Sequence, residues 1–257
     1  MRLADLGRCE HSTSDSSLAK TNPVPHPIRI APSLLACDFT CLADEIRSIE
    51  QGGCDWLHLD VMDGHFVPNL TFGPPIVAAM HRVAQRPLDV HLMIRDPWQY
   101  RDAFLDAGAD LFTFHVEVEA HGDVHALLDA VHKRGCKTGL SIQPDTNAER
   151  LRPYLAQLDL VLIMSVFAGF GGQQFMPEVL TKVKVLRDLG FAGEISMDGG
   201  IGTSTIAKAA AAGVNVFVAG TAVFGAAGGL DAASSMALRA ARIAALRALA
   251  TAAQSRD

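Results

Sequence analysis

The chain has 257 residues, of which 49% are hydrophobic and 19% charged, and its formal net charge is −6. That length suits one large domain, since a single α/β barrel runs to about 250 residues and buries a core that needs no disulfide or structural metal. The acidic balance argues against a nucleic-acid or anionic-membrane partner, and the apolar content excludes a disordered chain.

Residues 1–27 end in Asn-Pro-Val-Pro-His-Pro, a stretch that cannot run on as helix. They are expected to form a poorly ordered extension ahead of a catalytic domain over residues 28–257. No segment among them has the apolar core of a secretory signal, and no run anywhere reaches the ~20 apolar residues of a membrane helix. The five cysteines (Cys9, Cys37, Cys41, Cys54 and Cys136) are odd in number and form no CxxC pair. They read as reduced thiols of a cytoplasmic protein.

From Ile28 onward, short apolar strands are predicted at IRIAPS, WLHLD, LDVHLM, LFTFH, TGLSI, LDLVLIMS, EISMDG and VFVAG. Helical stretches separate them, several ending in a glycine (Gly53, Gly108, Gly135, Gly213), the residue that takes the left-handed conformation of a helix end without steric cost. Strands alternating with helices imply parallel β/α units. Eight such units predict a single-domain (β/α)8 barrel. An open doubly wound sheet fits less well, because no G-x-G-x-x-G follows the first strand.

Barrels of this kind carry their chemistry at the C-terminal ends of the strands. His58 and Asp60 stand two apart on the second strand and leave one face. His91 lies on the third strand, and Asp198 ends the seventh. Two imidazoles and two carboxylates at one mouth form a plausible four-ligand set for a divalent transition metal. Glycine-rich turns follow the sixth, seventh and eighth strands: Gly169-Phe170-Gly171-Gly172, Gly199-Gly200 and Gly220-Thr221. Glycine lets backbone N–H groups approach an anion, so these turns predict a phosphate site. His115 and Glu117 share a face and suit a supporting pair. His121 and His125 read as a solvated helix face, Cys37 and Cys41 as neutral or core-facing positions on the first helix, and His65 as a loop residue of open role.

The segments APSLLACDF (31–39), LHLDVMDGHFVPNLTFGP (57–74), DVHLM (89–93), FHVE (114–117), the stretch from Met164 through GFGGQ to Phe175, and DGGI (198–201) resemble the ribulose-phosphate 3-epimerase family. The similarity spans residues 28–225. It implies a (β/α)8 barrel that interconverts D-ribulose 5-phosphate and D-xylulose 5-phosphate with one divalent cation, zinc, iron(II), manganese or cobalt. It implies that His58, Asp60, His91 and Asp198 are the ligands, with Asp60 and Asp198 as the acid/base pair. Ser33 would contact the substrate, and Met62, Met93 and Met164 would line the reacting centre. Gly169, Gly171, Gly172, Gly199, Gly200, Gly220 and Thr221 would hold the phosphate. The chemistry agrees: inverting a carbon beside a ketone needs a proton removed from one face and returned to the other, which two carboxylates do directly. The expected partners are the ketose phosphate and further copies of this chain.

Several positions depart from the family pattern. Phe167-Ala168 replaces Asn-Pro, Gln143-Pro144 stands where Asn-Pro is usual, Thr221 where serine is common, and Met197 where valine is frequent. Substrate choice therefore stays open between the pentulose phosphate and D-allulose 6-phosphate. A catalytically idle sugar-phosphate binder is a further reading. A lyase on the same barrel is another, but it would want a lysine in the third strand, where the sequence has Asp89-Val90-His91.

Overall fold

The computed structural model describes residues 26–225 and 232–255. Eight parallel strands follow in order: β1 (Arg29–Pro32), β2 (Leu57–Met62), β3 (Leu88–Met93), β4 (Leu111–His115), β5 (Lys137–Ile142), β6 (Leu160–Met164), β7 (Glu194–Asp198) and β8 (Val216–Ala219). Each matches its predicted segment to within two residues. The sheet runs β1-β8-β7-β6-β5-β4-β3-β2, and a bridge between Ser33 and His58 brings its two edges together. The result is the expected (β/α)8 barrel.

The helices are α1 (Leu42–Gln51), α2 (Pro74–His81), α3 (Pro97–Asp106), α4 (Val124–Lys133), α5 (Thr181–Asp188), α6 (Ile206–Ala211), α7 (Thr221–Phe224) and α8 (Ala232–Gln254). Local chemistry sets their ends. Asp96 caps α3 by accepting from the Gln99 N–H at 3.0 Å, with Pro97 opening the helix, and Asp123 caps α4 through the Ala126 N–H at 3.0 Å. Beyond α3, Gly108 has φ +96°, and a β-carbon there would lie 2.4 Å from the His81 ring, so only glycine fits.

The residues entering the even-numbered strands have a second use. Asp55 accepts the Ile30 N–H at 2.7 Å, Asp110 the Leu88 N–H at 2.8 Å, Asp159 the Thr138 N–H at 2.9 Å, and Asn215 the Ile195 N–H at 2.9 Å. Each side chain clips the start of the preceding odd strand, so the bottom of the barrel is tied in four pairs. Above the clips, Ala31, Leu111, Leu160, Leu162, Val216 and Val218 fill the interior, while a larger apolar cluster packs between strands and helices. With its base filled in this way, the barrel opens only toward the C-terminal ends of the strands.

Three local expectations are corrected. Between β5 and β6 stand two short 3₁₀ turns (Ala148–Leu151 and Leu155–Gln157) in place of an α-helix, because Pro153 lacks the N–H and clashes with a preceding turn. Cys37 and Cys41 precede α1, because the Asp38 carboxylate accepts from the Thr40 N–H at 2.9 Å and winds a 3₁₀ turn there; Cys37 is half-buried and Cys41 exposed. His121 and His125 are both exposed but belong to different elements, separated by the Asp123 cap.

Residues 1–25 of the expected extension, and Cys9 with them, lie outside the described residues. His26 and Pro27 lie against the barrel, their carbonyls accepting from Gln254 Nε2 at 3.2 Å and Asn215 Nδ2 at 3.4 Å. No helix among the described residues is long and apolar enough to cross a membrane.

Helix α8 packs against α1 and α6, outside the seam where β1 meets β8. Its Arg239 is buried, donating to Glu45 Oε1 at 2.6 Å and Ser48 Oγ at 2.9 Å with its guanidinium 5.5 Å from the Phe224 ring centroid. Removing one partner of a buried pair strands the other charge without water. Arg239→Ala is therefore expected to lower stability by about 3–5 kcal/mol in urea denaturation. A loss under about 1 kcal/mol would show that α8 contributes little to the folded barrel.

Candidate metal centre

Because side chains alternate along a strand, His58 and Asp60 on β2 both point into the barrel, as do Asp89 and His91 on β3. Asp60 stands level with His91 in the β2–β3 register. Asp198 reaches the same place from β7, three strands away around the barrel through β1 and β8. One ligand atom from each of His58, Asp60, His91 and Asp198 lies within 4.8 Å of the others. The geometry thus gathers the four residues singled out from sequence, which lie up to 140 positions apart.

The donors are aimed. His58 Nε2 lies 3.2 Å and His91 Nδ1 3.3 Å from the same oxygen, Asp60 Oδ1. The other Asp60 oxygen accepts from Ser33 Oγ at 2.5 Å. The far nitrogen of each ring is engaged as well: His58 Nδ1 lies 2.8 Å from Asp89 Oδ2, and His91 Nε2 lies 2.9 Å from His115 Nε2. His115 Nδ1 in turn lies 3.1 Å from Glu117 Oε2, so the pair suggested by their spacing does form. Sequence reasoning assigned no role to Asp89, although its place two residues before His91 puts both on one face.

Charge in the cluster is unevenly held. Burial works against ionising Asp60, but the charge and hydrogen bonds of His58, with the bond from His91, outweigh it and hold this carboxyl well below its usual range. Burial, and then the Asp60 charge, pushes Asp198 up to about 7. Burial works against a charge on His58 too, yet Asp60 and Asp89 keep it well above the ordinary imidazole range. His91 is pushed down to about 4, first by burial, with the neighbouring His115 and His58 adding to that effect against the hydrogen bond to Asp60. The carboxylates thus retain a positive charge on His58, where a bound cation would take its place. Two imidazole nitrogens and two carboxylates, each ring with its distal nitrogen already occupied, fit a divalent transition metal.

Above the cluster opens a cavity of about 680 Å³. Ser33, Asp60, Met62, Met93, Met164 and Asp198 line its floor, and Gly169, Gly171, Gly172, Gly199, Gly200, Gly220 and Thr221 line its walls. His58 and His91 are fully buried, so only the carboxylates of the four reach this space. Gly199 and Gly200 bring backbone close by necessity. Their φ angles are +115° and +61°, and β-carbons there would lie 2.5 Å from Val166 Cγ2 and 2.8 Å from the Phe175 nitrogen. The β6–α5 loop closes the far wall with Phe167 and Phe170 exposed. Asn69 Nδ2 holds it by donating to the Gly169 carbonyl at 2.7 Å, and the Ala168 N–H donates to Gln143 Oε1 at 3.1 Å. The sequence did not single out Asn69 or the Gln143 side chain for this. His65 faces away, its Nδ1–H donating to the Asp63 carbonyl at 2.9 Å within an exposed turn.

Fold and site together define a (β/α)8 barrel with a two-histidine, two-carboxylate centre that could hold a metal ion, beneath a glycine-walled cavity. The family model for the ribulose-phosphate 3 epimerase family matches residues 29–224, and the chain belongs to that family. A ribulose-phosphate 3-epimerase of Mycobacterium bovis is 48% identical over 201 residues, 77% of this chain and 86% of that protein. The cytoplasmic isoform of Oryza sativa is 45% identical over 202 residues, 77% of this chain and 88% of its own. The enzyme of Bacillus subtilis is 44% identical over 205 residues, 77% and 93% respectively. Among solved structures, 3-hexulose-6-phosphate synthase from Salmonella typhimurium superposes with a TM-score of 0.61 at 18% identity, covering 84% of this chain and 99% of that one. A tryptophan synthase alpha-subunit from Pyrococcus furiosus gives 0.62 at 14% identity, over 85% and 97% of the two chains. These two share the fold alone.

Proposed function

We propose that the chain is a metal-dependent epimerase that interconverts D-ribulose 5-phosphate and D-xylulose 5-phosphate by proton transfer at carbon 3. The observation that carries this reading is the Asp60–Asp198 pair: two carboxyl groups of opposite proton bias, reaching one cavity from strands three apart. Such a split suits one group to begin as base and the other as acid. Asp60, held ionised, takes the carbon-3 proton from one face. Asp198 returns a proton to the other, and the reverse reaction exchanges the roles. Ser33, bonded to Asp60, fixes the direction in which that carboxylate points.

His58, Asp60, His91 and Asp198 would hold one divalent ion, and zinc, iron(II), manganese or cobalt all suit this donor set. When bound, the ion supplies Lewis acidity that stabilises the negative charge of the enediolate. The three methionines keep the floor apolar, which excludes water from the planar carbanionic centre. Backbone amides of the Gly169–Gly172, Gly199-Gly200 and Gly220-Thr221 turns hold the phosphate, so the reacting carbon is placed by an anchor at the other end of the substrate.

The test is kcat/KM for D-ribulose 5-phosphate and D-allulose 6-phosphate, each in a coupled assay with metal analysis of the same batch. D-ribulose 5-phosphate is expected to be the better substrate. One extra carbon between the reacting centre and the anchor changes a simple pocket by about 1–3 kcal/mol, so some activity on the longer sugar is expected too. A preference for the six-carbon sugar would overturn the substrate and point to Phe167-Ala168. No turnover of either would leave a sugar-phosphate binder.

A further inference from the structure

We infer that Gln143 is a positioning residue for the substrate: its side-chain oxygen holds the Ala168 N–H and so fixes the Gly169–Gly172 turn that takes the phosphate. The inference rests on the role proposed for that turn, and it adds a residue standing behind the cavity wall to the binding of substrate.

The loop from β6 to α5 is closed at its base, where the Met176 N–H donates to the Ser165 carbonyl at 2.9 Å. Above that bond, residues 166–173 line the cavity. The Gln173 side chain ties the loop to itself, its Nε2 donating to the Phe167 and Phe170 carbonyls at 2.7 and 2.8 Å. Such internal bonds shape the loop without fixing where it stands. Among the described residues, two side chains outside the loop hold it by hydrogen bonds. Asn69 Nδ2 reaches the Gly169 carbonyl at 2.7 Å from the β2–α2 connection, and Gln143 Oε1 meets the Ala168 N–H at 3.1 Å from the end of β5. A backbone N–H can only donate, so the amide oxygen of Gln143 is the atom that faces it.

Gln143 makes a firm post because its backbone is already engaged. Its N–H donates to Glu117 Oε1 at 2.8 Å, and its carbonyl accepts from the Thr146 N–H at 3.1 Å and from Lys182 Nζ at 2.7 Å. Lys182 stands on α5, the helix into which the same loop runs, and Pro144 restricts the backbone just beyond Gln143. The side chain therefore braces the loop between the end of β5 and the start of α5. Ala168 is half-buried against Met62, Val67 and Met93, so the braced residue also adjoins the methionine floor of the cavity.

Both partners are positions where this chain departs from the family pattern. Proline at 168 would have no N–H to offer, but its ring would restrict the loop by itself. Alanine frees that backbone and supplies a donor, and glutamine at 143 extends one methylene further than asparagine to accept from it. The two departures act as one change, in which a hydrogen bond takes over from a covalent restraint.

Gln143→Met keeps the length of the side chain and removes the strong acceptor. Gln143→Asn keeps the amide but shortens its reach, and serves if the Met variant does not fold. In the metal-loaded enzyme each is expected to raise KM for D-ribulose 5-phosphate about 3–10-fold, the scale of one hydrogen bond, with kcat within twofold and metal content unchanged. An anchor that grips substrate and transition state alike moves KM alone. Amide hydrogen exchange of peptides spanning residues 166–172, measured without substrate, is expected to quicken by a similar factor. In an Ala168→Pro background, where no hydrogen is left to accept, Gln143→Met is expected to change KM by less than twofold. KM and exchange within twofold of wild type in both Gln143 variants would overturn the inference. So would a fall in kcat at unchanged KM, or an equal rise in KM with and without Ala168→Pro. A wild-type protein that turns over neither sugar phosphate would reject the proposed function, and the exchange rates would then decide whether Gln143 holds the loop.

Discussion

Asp198→Asn is expected to lower kcat by about 10²-fold or more, and Asp60→Asn by at least as much, the scale on which general acid–base groups act. Asp60 and Asp198 are the two carboxyl groups among the described residues that line the cavity, and among those residues no other acid stands ready to substitute for either. The two variants should differ in kind. Asn at position 60 also disturbs the oxygen that both histidines face, at 3.2 and 3.3 Å, so its metal content should fall together with its rate. Asn at position 198 changes a group that is half-buried and bonded to neither histidine, so more of its loss should lie in proton transfer. In heavy water the wild-type product should carry deuterium at carbon 3. Near-normal turnover by both variants, measured beside metal content, would sink the two-base mechanism.

Stripping the metal with a chelator should lower turnover by about 10³-fold, because Lewis-acid stabilisation of the enediolate is worth several kcal/mol and each 1.36 kcal/mol is a factor of ten. Refilling with zinc, manganese, cobalt or iron(II) should restore it, each to its own degree. Thermal unfolding gives a readout independent of catalysis. An ion held by the native barrel alone, at about 100 times its dissociation constant, adds about 2.7 kcal/mol to stability and raises Tm accordingly. His91→Ala should abolish that rise. Full metal content and activity in this variant after chelation and refilling would mean that the ion, if bound, sits elsewhere.

Much of the architecture was legible because its signals are local. A strand buried on both faces reads as an apolar run whatever surrounds it, and a helix end marks itself with glycine. Where a single residue outweighed the repeating pattern, the expectation slipped. Asp38 wound a 3₁₀ turn ahead of α1 and displaced Cys37 and Cys41 from the helix expected to carry them. Pro153 left the β5–β6 crossover without an α-helix. The aspartates and asparagine that open the even strands were visible in sequence, but their bonds reach back to the preceding strand, 20–25 residues earlier. No short-range pattern records that reach.

The sequence by itself determined the eight strands and placed His58, Asp60, His91 and Asp198 on three of them, because alternation along a strand decides which side chains face inward. It also carried the family, in long unbroken motifs. Tertiary structure alone decided how those residues act on one another. The β2–β3 register set Asp60 level with His91, and closure of the barrel brought Asp198 to within reach of both. Burial beside Asp60 raised the Asp198 carboxyl to about 7, while Asp89, His115 and Glu117 came to stand behind the two imidazoles. These are effects of distance and dielectric between residues remote in the chain, and they exist only once the barrel has closed.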